Sequence, residues 1–348
     1  MTPTRRLTIE ELRAWSGPPL IVFLGISTAG SLVHEVFPAW APIFAPGCVL
    51  VSVDLPPDAP AAEFRSLVSV MQRHPHVRGG VVTSHKLRLF QACQDMCDSQ
   101  DLLVRLTHEI NALDTRDGVH AFARDPQSLD IVLAELLGAS AARPATCIGA
   151  GGSAIALLLA SLLDVAASLR ADAPIMRAQP GPVADLTIIG LDQAALDGVD
   201  AVRERCAAPA GAVRLVASAD ADSTTAIVDS APPGSVVVNA TGLGKTDDRS
   251  PLLDSATFPA GALAWDFNYR GPLPFLAQAK ASHATIENGW AYFVAGWSAA
   301  LAAIRRHELV QPDYLRAVEA AAATGQSTYL RAVAATRPAG PMSMQGEL

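Results

Sequence analysis

One glycine-rich turn constrains the fold of this chain more than any other feature of its sequence. The segment Gly149-Ala150-Gly151-Gly152-Ser153 follows the short apolar run 145–148 and precedes the apolar segment 154–169. Glycines let a backbone turn tightly and approach a ligand, and the N-terminus of the following helix offers free N–H groups and a positive dipole to phosphates. Strand, glycine turn and helix in this order predict a dinucleotide-binding Rossmann unit, with a purely structural glycine turn as the alternative.

Length and composition favour two α/β domains and a small soluble partner. The chain has 348 residues, of which 50% are hydrophobic and 5% aromatic, and this length exceeds that of one typical core. A net charge of −8 without a long basic run makes nucleic acid and anionic membrane surfaces poor partners. The longest apolar stretches are shorter than the roughly 20 residues of a membrane span, and the N-terminus lacks a signal-peptide apolar core. Five scattered cysteines indicate a reducing compartment. We therefore expect a cytoplasmic monomer or homodimer.

Predicted strands and helices alternate along the chain, which is typical of parallel sheets with helical crossovers. The first unit has strands at 21–25, 49–55 and 80–83, helices at 32–40, 61–73 and 86–97, and a hairpin within 111–122. The second has strands at 145–148, 185–189, 213–217, 235–239 and 262–267, helices at 153–169 and 193–206, and a proline-rich insertion at 171–184. The predicted fold class is α/β: residues 1–130 plus 286–348 form a substrate-binding domain, to which C-terminal helices at 290–307 and 314–335 return. Residues 131–285 form a Rossmann domain.

Five stretches, in one order, resemble the shikimate dehydrogenase family over residues 20 to 305. They are Phe23-Leu24-Gly25 with Gly30-Ser31-Leu32; Gly80 to Lys86; Ile110-Asn111-Ala112 with Asp125 downstream; the glycine turn; and Asn239 to Gly244, after which comes Asp266-Phe267-Asn268-Tyr269. No single stretch is specific, but their order and spacing are. The resemblance implies a two-domain oxidoreductase that moves a hydride between a nicotinamide dinucleotide and a cyclic secondary alcohol or its ketone.

The resemblance also implies the residues of the active site. Lys86 and Asp125 would be the catalytic proton-transfer pair. Substrate would be bound by Ser31, Thr83, Asn111 and Tyr269, and the dinucleotide by Gly149, Gly151, Gly152, Ser153, Asn239 and Thr241. Lys86 lies at the start of a helix after an apolar strand, where desolvation and the helix dipole would disfavour its charge. The alternatives are a surface lysine and an aspartate that caps a helix before Pro126. His85 is expected to point away from Lys86, in a surface or supporting role.

The end of the second Rossmann strand favours NAD over NADP. Asp192 would accept hydrogen bonds from ribose hydroxyls and repel a 2′-phosphate, and no Arg or Lys occurs between Asp185 and Val202. NADP stays possible, because Asp192 could instead merely cap the following helix. No metal is expected, since His34 and Glu35 lack a third ligand at metal spacing.

Four departures from the family pattern affect the expected substrate. Val33 stands where the family has a second serine, Gly80 where it has asparagine, Ser84 where it has proline, and Gly296 where it has glutamine. Lost polar partners change which hydroxylated ligand is accepted. Space at Gly80 and Gly296, beside Trp290 and Trp297, would admit a larger or less polar substituent. We therefore expect a polar cyclic substrate other than shikimate, such as quinate, an aminoshikimate or a cyclitol-like biosynthetic intermediate. The alternative function is a catalytically silent NAD(P) or ligand sensor on the same fold.

Overall fold

A computed structural model of the chain describes residues 5–138 and 142–324. Residues 5–122 contain a mixed sheet of seven strands. Its strands lie in the order β1-β3-β2-β4-β6-β7-β5. Their bounds are β1 (Arg5–Arg6), β2 (Leu20–Gly25), β3 (Val49–Asp54), β4 (Val77–Val82), β5 (Ser99–Gln100), β6 (Ala112–Asp114) and β7 (His120–Phe122). The helices between them are α1 (Ile9–Arg13), α2 (Val33–Phe44), α3 (Ala61–Arg73), α4 (Lys86–Cys93), the 3₁₀ helix Gln94–Met96 and α5 (Leu102–Thr107). Strands β1 to β4 are parallel, and β6 pairs antiparallel with β4 and β7, so the predicted hairpin is present.

Helix α6 (Asp125–Leu137) leads into a second sheet whose neighbouring strands all run parallel in the order β10-β9-β8-β11-β12-β13. The strands are β8 (Arg143–Ile148), β9 (Val183–Gly190), β10 (Arg214–Ala217), β11 (Val236–Asn239), β12 (Leu263–Asp266) and β13 (Thr285–Glu287). The helices are α7 (Gly152–Leu162), α8 (Val165–Ala171), α9 (Gln193–Arg205), the 3₁₀ helix Ala210–Ala212, α10 (Ala221–Asp229) and α11 (Pro274–Ala281). Helices crossing over a parallel sheet on this scale form the predicted Rossmann domain.

The last described helices return to the first domain, as the sequence predicts. Helix α12 (Trp290–Ile304) packs against α6, α2, β4 and β6, and α13 (Gln311–Ala323) packs against α2 and α12. The indole of Trp40 on α2 donates a hydrogen bond of 2.9 Å to Ala317 O and so fixes α13 on this domain. The helix predicted over 314–335 extends beyond the described residues. Because α6 packs against both α12 and the Rossmann helix α7, the domain limits at 130/131 and 285/286 stay a proposal.

The helix predicted over 153–169 is broken into α7 and α8. Asp164 ends the apolar run as an N-cap, because its carboxylate accepts a hydrogen bond of 2.9 Å from Ala167 N. The insertion at 171–184 then folds back on α7, where Arg177 Nε donates to Ala160 O at 3.2 Å and the guanidinium pairs with Asp130 of α6. The insertion therefore braces α7 against α6. None of the described helices is long and apolar enough to cross a membrane.

Candidate active site

A cavity of about 220 Å³ lies where the carboxyl ends of β2 and β4 face the loop after β12. Ligands of open α/β sheets bind at such carboxyl ends. The first domain contributes Ser27, Thr28, Ser31, Thr83, Ser84, Lys86, Asn111 and Asp125; the Rossmann domain contributes Ser153, Lys245, Phe267, Tyr269 and Arg270; and α12 contributes Tyr292, Phe293, Gly296 and Trp297. Both domains and the returning helix therefore build one polar cavity with an aromatic wall.

Lys86, Asp125 and Asn111 form a connected group in this cavity. Lys86 is the first residue of α4 and Asp125 the first of α6, and their side chains form an ion pair. Asn111 Nδ2 donates to Asp125 Oδ1 at 2.7 Å, while Asn111 Oδ1 accepts from Arg124 N at 2.9 Å. The backbone thus fixes the Asn111 amide, and this amide fixes the Asp125 carboxylate. The carboxylate in turn fixes the Lys86 ammonium. The structure does not show the alternative of a surface lysine and an N-capping aspartate, because the Lys86 side chain is only 24% exposed and the N-cap of α6 is Arg124. The catalytic role of the pair stays a prediction.

A second carboxylate, Glu109, acts on the same lysine. Burial opposes the charge of Lys86, but the Coulombic attraction of Asp125 and Glu109 outweighs it, so the pKa of Lys86 lies above its ordinary value. Desolvation does disfavour the charge of Lys86, as expected, but the two carboxylates reverse its net effect on the pKa. Burial raises the pKa of Glu109 itself, and Lys86 opposes that rise. Glu109 also lies against the glycine turn: a Cβ added at Gly152 would come within 2.5 Å of Glu109 Oε1.

A second, more apolar groove runs along the glycine turn on the Rossmann sheet. Its lining includes Gly149, Ala150 and Gly151 after β8, Leu191 after β9, Ser218 and Asp220 after β10, and Thr241 and Leu243 after β11. Gly149 has φ of +110°, and a Cβ there would lie 2.9 Å from the backbone carbonyl carbon and oxygen of Ala240. Only glycine allows this close approach of the two loops, which shapes the floor of the groove.

Comparison with solved structures places this architecture among known folds. Shikimate 5-dehydrogenase from Thermus thermophilus, solved with NADP(H) and shikimate, superposes with a TM-score of 0.60 at 19% identity, over 87% of this chain and 99% of that one. Quinate dehydrogenase from Corynebacterium glutamicum, solved with NAD, gives 0.61 at 17% identity over 86% and 99%. The chain has the fold of the shikimate and quinate dehydrogenases.

This fold is also shared by a protein with another substrate in its name. The ligand-free 5-ketofructose reductase of a Gluconobacter strain superposes with a TM-score of 0.57 at 15% identity, over 88% of this chain and 99% of that one. No family model and no curated protein matches the sequence. The resemblance read from the sequence is therefore confirmed for the fold.

Within the shikimate dehydrogenase fold, all four residues expected to bind substrate line the cavity: Ser31, Thr83, Asn111 and Tyr269. The ring of Tyr269 packs 4.4 Å from that of Phe293, centroid to centroid. Sequence reasoning missed Ser27 and Thr28 in the loop after β2. The hydroxyl of Thr28 is buried and has no hydrogen-bond partner within the described residues, which marks it as a donor available to a ligand. Both residues lie between the quoted motifs, so only their position in space indicates a role.

Tyr292 is a further residue that the sequence pattern did not assign. Its hydroxyl is hydrogen-bonded to the Ser153 side chain, and burial together with the nearby Asp125 carboxylate raises its pKa well above the ordinary value. The hydroxyl therefore stays protonated. Ser153, expected to bind the dinucleotide, lines the cavity beside this tyrosine, and it is not among the residues that line the groove.

Three of the four positions that depart from the family pattern have different surroundings in the structure. Val33 is fully buried in the core, so no polar group replaces the missing serine there. A Cβ at Gly80 would meet Met71 Cε at 2.7 Å and Val22 O at 3.1 Å, so the expectation that Gly80 opens space for substrate is wrong. At Gly296 a Cβ would meet nothing within 4 Å, and the neighbouring Trp297 lines the cavity. The extra space therefore comes from Gly296 alone.

The side chain of Asn239 holds the loop 240–244, which follows β11, through several hydrogen bonds. Its Nδ2 donates to Asp266 Oδ2 at 3.0 Å and to Leu243 O at 3.3 Å, and its Oδ1 accepts from Thr241 N and Thr241 Oγ1 at 3.1 and 2.7 Å. Burial raises the pKa of its partner Asp266 to about 6. Every polar atom of the Asn239 side chain is used within the protein, which leaves Thr241 as the groove-lining member of this motif.

Asp192 caps helix α9, as the alternative interpretation held. Its Oδ1 accepts a hydrogen bond of 2.9 Å from Ala195 N, and the residue that lines the groove after β9 is Leu191, which is 75% exposed. The cap uses only Oδ1, so Oδ2 and the negative charge of Asp192 stay available for the expected role in cofactor choice.

His85 points away from Lys86, as expected, but it is buried and not on the surface. It is 1% exposed, its Nε2 lies 2.9 Å from Leu55 O, and its ring packs edge-on against Phe64. Among the described residues, no group of three or more His, Cys, Asp or Glu side chains is arranged to hold a metal ion.

Proposed function

We propose that this chain is an NAD(P)-dependent oxidoreductase that interconverts a cyclic secondary alcohol and its ketone, with NAD as the cofactor. The observation that carries the proposal is the position of the Lys86–Asp125 pair. It lies in a cavity that also contains Ser153, the residue that follows the last glycine of the dinucleotide turn. A proton-transfer group beside a nicotinamide site is what alcohol oxidation requires.

The residues present fit a dinucleotide. Helix α7 begins at the glycine turn, and the free N–H groups of its first turn would bind a pyrophosphate. Gly149 has no side chain, so the loop after β8 can pack against Ala240 without a Cβ between them. Gly149, Gly151, Gly152 and Thr241 would hold the dinucleotide, with Asn239 positioning Thr241. The described lining of the groove includes Asp220 and no Arg or Lys, which favours NAD because a 2′-phosphate finds no cation there.

When bound, the nicotinamide accepts a hydride from the alcohol carbon or returns one to the ketone. This chain supplies the matching proton. In the reducing direction the Lys86 ammonium donates a proton to the carbonyl oxygen, and in the oxidising direction its neutral amine takes the hydroxyl proton. Asp125 and Asn111 hold the lysine in place, and Ser31, Thr83 and Tyr269 orient the substrate ring.

An assay with purified protein tests the proposal. Reduction of NAD and of NADP is followed over a panel of cyclic polyols and hydroxy acids, with wild type, Lys86→Ala and the exposed control Lys280→Ala. We expect turnover with NAD in wild type and control and its loss in Lys86→Ala. Failure to bind either dinucleotide would overturn the proposal, and binding of NAD without turnover of any panel member would favour the sensor alternative.

A further inference from the structure

One carboxylate lies where the groove along the glycine turn meets the cavity that contains Lys86. Glu109 is in the segment 108–111 between α5 and β6, and a Cβ built on Gly152 would lie 2.5 and 2.9 Å from its two carboxylate oxygens. Gly152 stands between Gly151, which lines the groove, and Ser153, which lines the cavity. A dinucleotide that occupies both spaces has to pass this carboxylate.

The Glu109 carboxylate has no direct partner in the described part of the chain. Glu109 forms a hydrogen bond there only through its backbone N–H, which donates to Thr107 Oγ1 at 3.1 Å. The neighbouring Asp125, in contrast, has both Lys86 and Asn111 as partners. Burial raises the pKa of Glu109, and a carboxylate withdrawn from water without an ion pair costs free energy. Such carboxylates are typical of functional sites.

Glu109 leaves the surroundings of Lys86 with an excess of negative charge. The charges of Lys86 and Asp125 cancel within their ion pair, so that of Glu109 is not balanced. The charges that act on Glu109 are those of Lys86 and Asp125, and not those of Lys245 and Arg270, which also line the cavity. The negative charge is therefore concentrated between the lysine and the glycine turn.

This position distinguishes the two redox states of a nicotinamide dinucleotide. The oxidised nicotinamide carries a positive charge and the reduced one is neutral, whereas both forms have the same pyrophosphate. Because proton transfer at Lys86 accompanies hydride transfer, the nicotinamide has to bind on this side of the turn. We propose that the Glu109 carboxylate determines cofactor specificity by attracting the nicotinamide cation, so that the oxidised dinucleotide is favoured over the reduced one. This inference rests on the proposed function for the identity of the cofactor.

Binding measurements test this role without requiring turnover. NAD⁺, NADH and ADP-ribose, which has the pyrophosphate but no nicotinamide, are titrated calorimetrically into the purified full chain. If wild type binds only the phosphorylated cofactor, NADP⁺, NADPH and its phospho-ADP-ribose replace them. The proteins are wild type, Glu109→Gln, Glu109→Asp and the control Glu319→Gln, whose residue is exposed on α13. A pH of about 8 keeps a carboxyl with a raised pKa largely ionised.

The ratio of NAD⁺ affinity to NADH affinity is the decisive quantity, because a general loss of folding would lower both. In Glu109→Gln we expect this ratio to fall roughly 3- to 30-fold through weaker NAD⁺ binding, as the loss of one nearby charge implies. The affinities for NADH and ADP-ribose should stay within about twofold of wild type, since neither contains the cation. Glu109→Asp keeps the charge and should retain most of the wild-type ratio, and Glu319→Gln all of it.

Three results would overturn the proposal. One is an unchanged ratio in Glu109→Gln. Another is equal tightening of all three ligands in that variant, which would show that the carboxylate acts on the pyrophosphate. The third is an equal fall of the ratio in Glu109→Asp and Glu109→Gln, which would make the effect structural. A shifted ratio without turnover of any substrate would retain this role and reject the dehydrogenase activity. Absence of dinucleotide binding in wild type would reject both, so the two failures are distinguishable.

Discussion

Two carboxylates from different segments act on the charge of Lys86, and in the proposed reaction this determines its protonation state. Asp125 begins α6, and Glu109 precedes the strand β6 that carries the hairpin. Together they keep the lysine protonated in the free protein by raising its pKa. A protonated lysine is ready to donate to a carbonyl oxygen, so ketone reduction should proceed at neutral pH. Alcohol oxidation requires the neutral amine and should accelerate as pH rises.

Replacing the lysine removes the proton donor and leaves the dinucleotide groove intact. With an active substrate identified, Lys86→Ala should lower kcat by roughly 10² to 10⁴, the range typical of general acid–base catalysis. NAD affinity, measured by calorimetry, should match wild type because Lys86 does not line the groove. Turnover close to that of wild type would show that another group transfers the proton.

Glu109 should tune the pH dependence without taking part in the chemistry. In Glu109→Gln one anion is lost, so the pKa of Lys86 should fall and its proton should be released at lower pH. The alkaline decline of ketone reduction, and the alkaline rise of alcohol oxidation, should both move to lower pH. Profiles of kcat/KM against pH measure this shift, with the exposed Glu319→Gln as control. Superimposable profiles for wild type and Glu109→Gln would contradict this role.

For individual residues, the sequence identifies the cavity residues that belong to recognisable motifs and misses neighbouring residues outside those motifs. Asn111 and Asp125 follow from the resemblance, and the structure joins them through a hydrogen bond of 2.7 Å. Glu109, Lys245 and Arg270 lie within two residues of quoted motifs, yet nothing in the local pattern shows that Lys245 and Arg270 line the cavity or that the charge of Glu109 acts on Lys86. The sequence showed the desolvation that opposes the charge of Lys86, but not that Asp125 and Glu109 together outweigh it.

At the scale of single elements, we propose that the N-terminus of helix α9 contributes to the preference for NAD over NADP. Asp192 is the N-cap of helix α9, and its carboxylate accepts the capping hydrogen bond. The same carboxylate is next in sequence to Leu191, which is exposed. The cap and the charge are separable functions, because asparagine caps a helix about as well as aspartate does and carries no charge. A substitution series at this position therefore distinguishes the structural role from an electrostatic one.

Asp192→Ala should lower the free energy of unfolding by about 1 kcal/mol, as the loss of a cap does, whereas Asp192→Asn should unfold close to wild type. Both variants should bind NADP more tightly than wild type does, because repulsion of the 2′-phosphate is relieved. Denaturant titration measures the first effect and calorimetry with both dinucleotides the second. Unchanged NADP affinity in Asp192→Asn would remove Asp192 from cofactor selection.

Most of the order of elements was predictable because apolar runs alternate with glycine and proline signals, but helices α10 and α11 and strand β13 were not predicted. Boundaries were harder where the apolar pattern continues through a break. The run across 153–169 gives no hint that Asp164 will cap a new helix, and this cap divides α7 from α8. Conversely, the helix predicted to end at Trp40 continues to Phe44, since Phe44 is buried against the same core as Trp40 and Phe37. Local capping decided the first boundary and packing the second.

At the scale of the whole molecule, the proposed active site lies where the two proposed domains meet. Contacts that cross the cleft include the guanidinium of Arg270 on Gly30 O and the carboxylate of Glu109 against Gly152. Helix α12 adds Tyr292, whose hydroxyl is bonded to Ser153 of the Rossmann domain. We therefore propose that substrate is selected by a surface that neither domain provides alone. The shape and polarity of this surface determine which members of a substrate class are accepted.

We expect shikimate to be a poor substrate because Val33 and Gly296 stand where the family pattern has polar residues. Val33 is buried in the core, and Gly296 leaves open space beside the rings of Trp297 and Phe293. Loss of a buried hydrogen-bond partner can lower discrimination for a hydroxylated ligand by as much as roughly 10⁴. A cyclic alcohol with fewer ring hydroxyls, or with an apolar substituent that fills the space at Gly296, should be preferred. Steady-state kinetics with NAD decide the matter, with a shikimate dehydrogenase of known activity assayed in parallel. A kcat/KM for shikimate of roughly 10⁴ M⁻¹s⁻¹ or more, the usual enzyme range, would contradict the expectation.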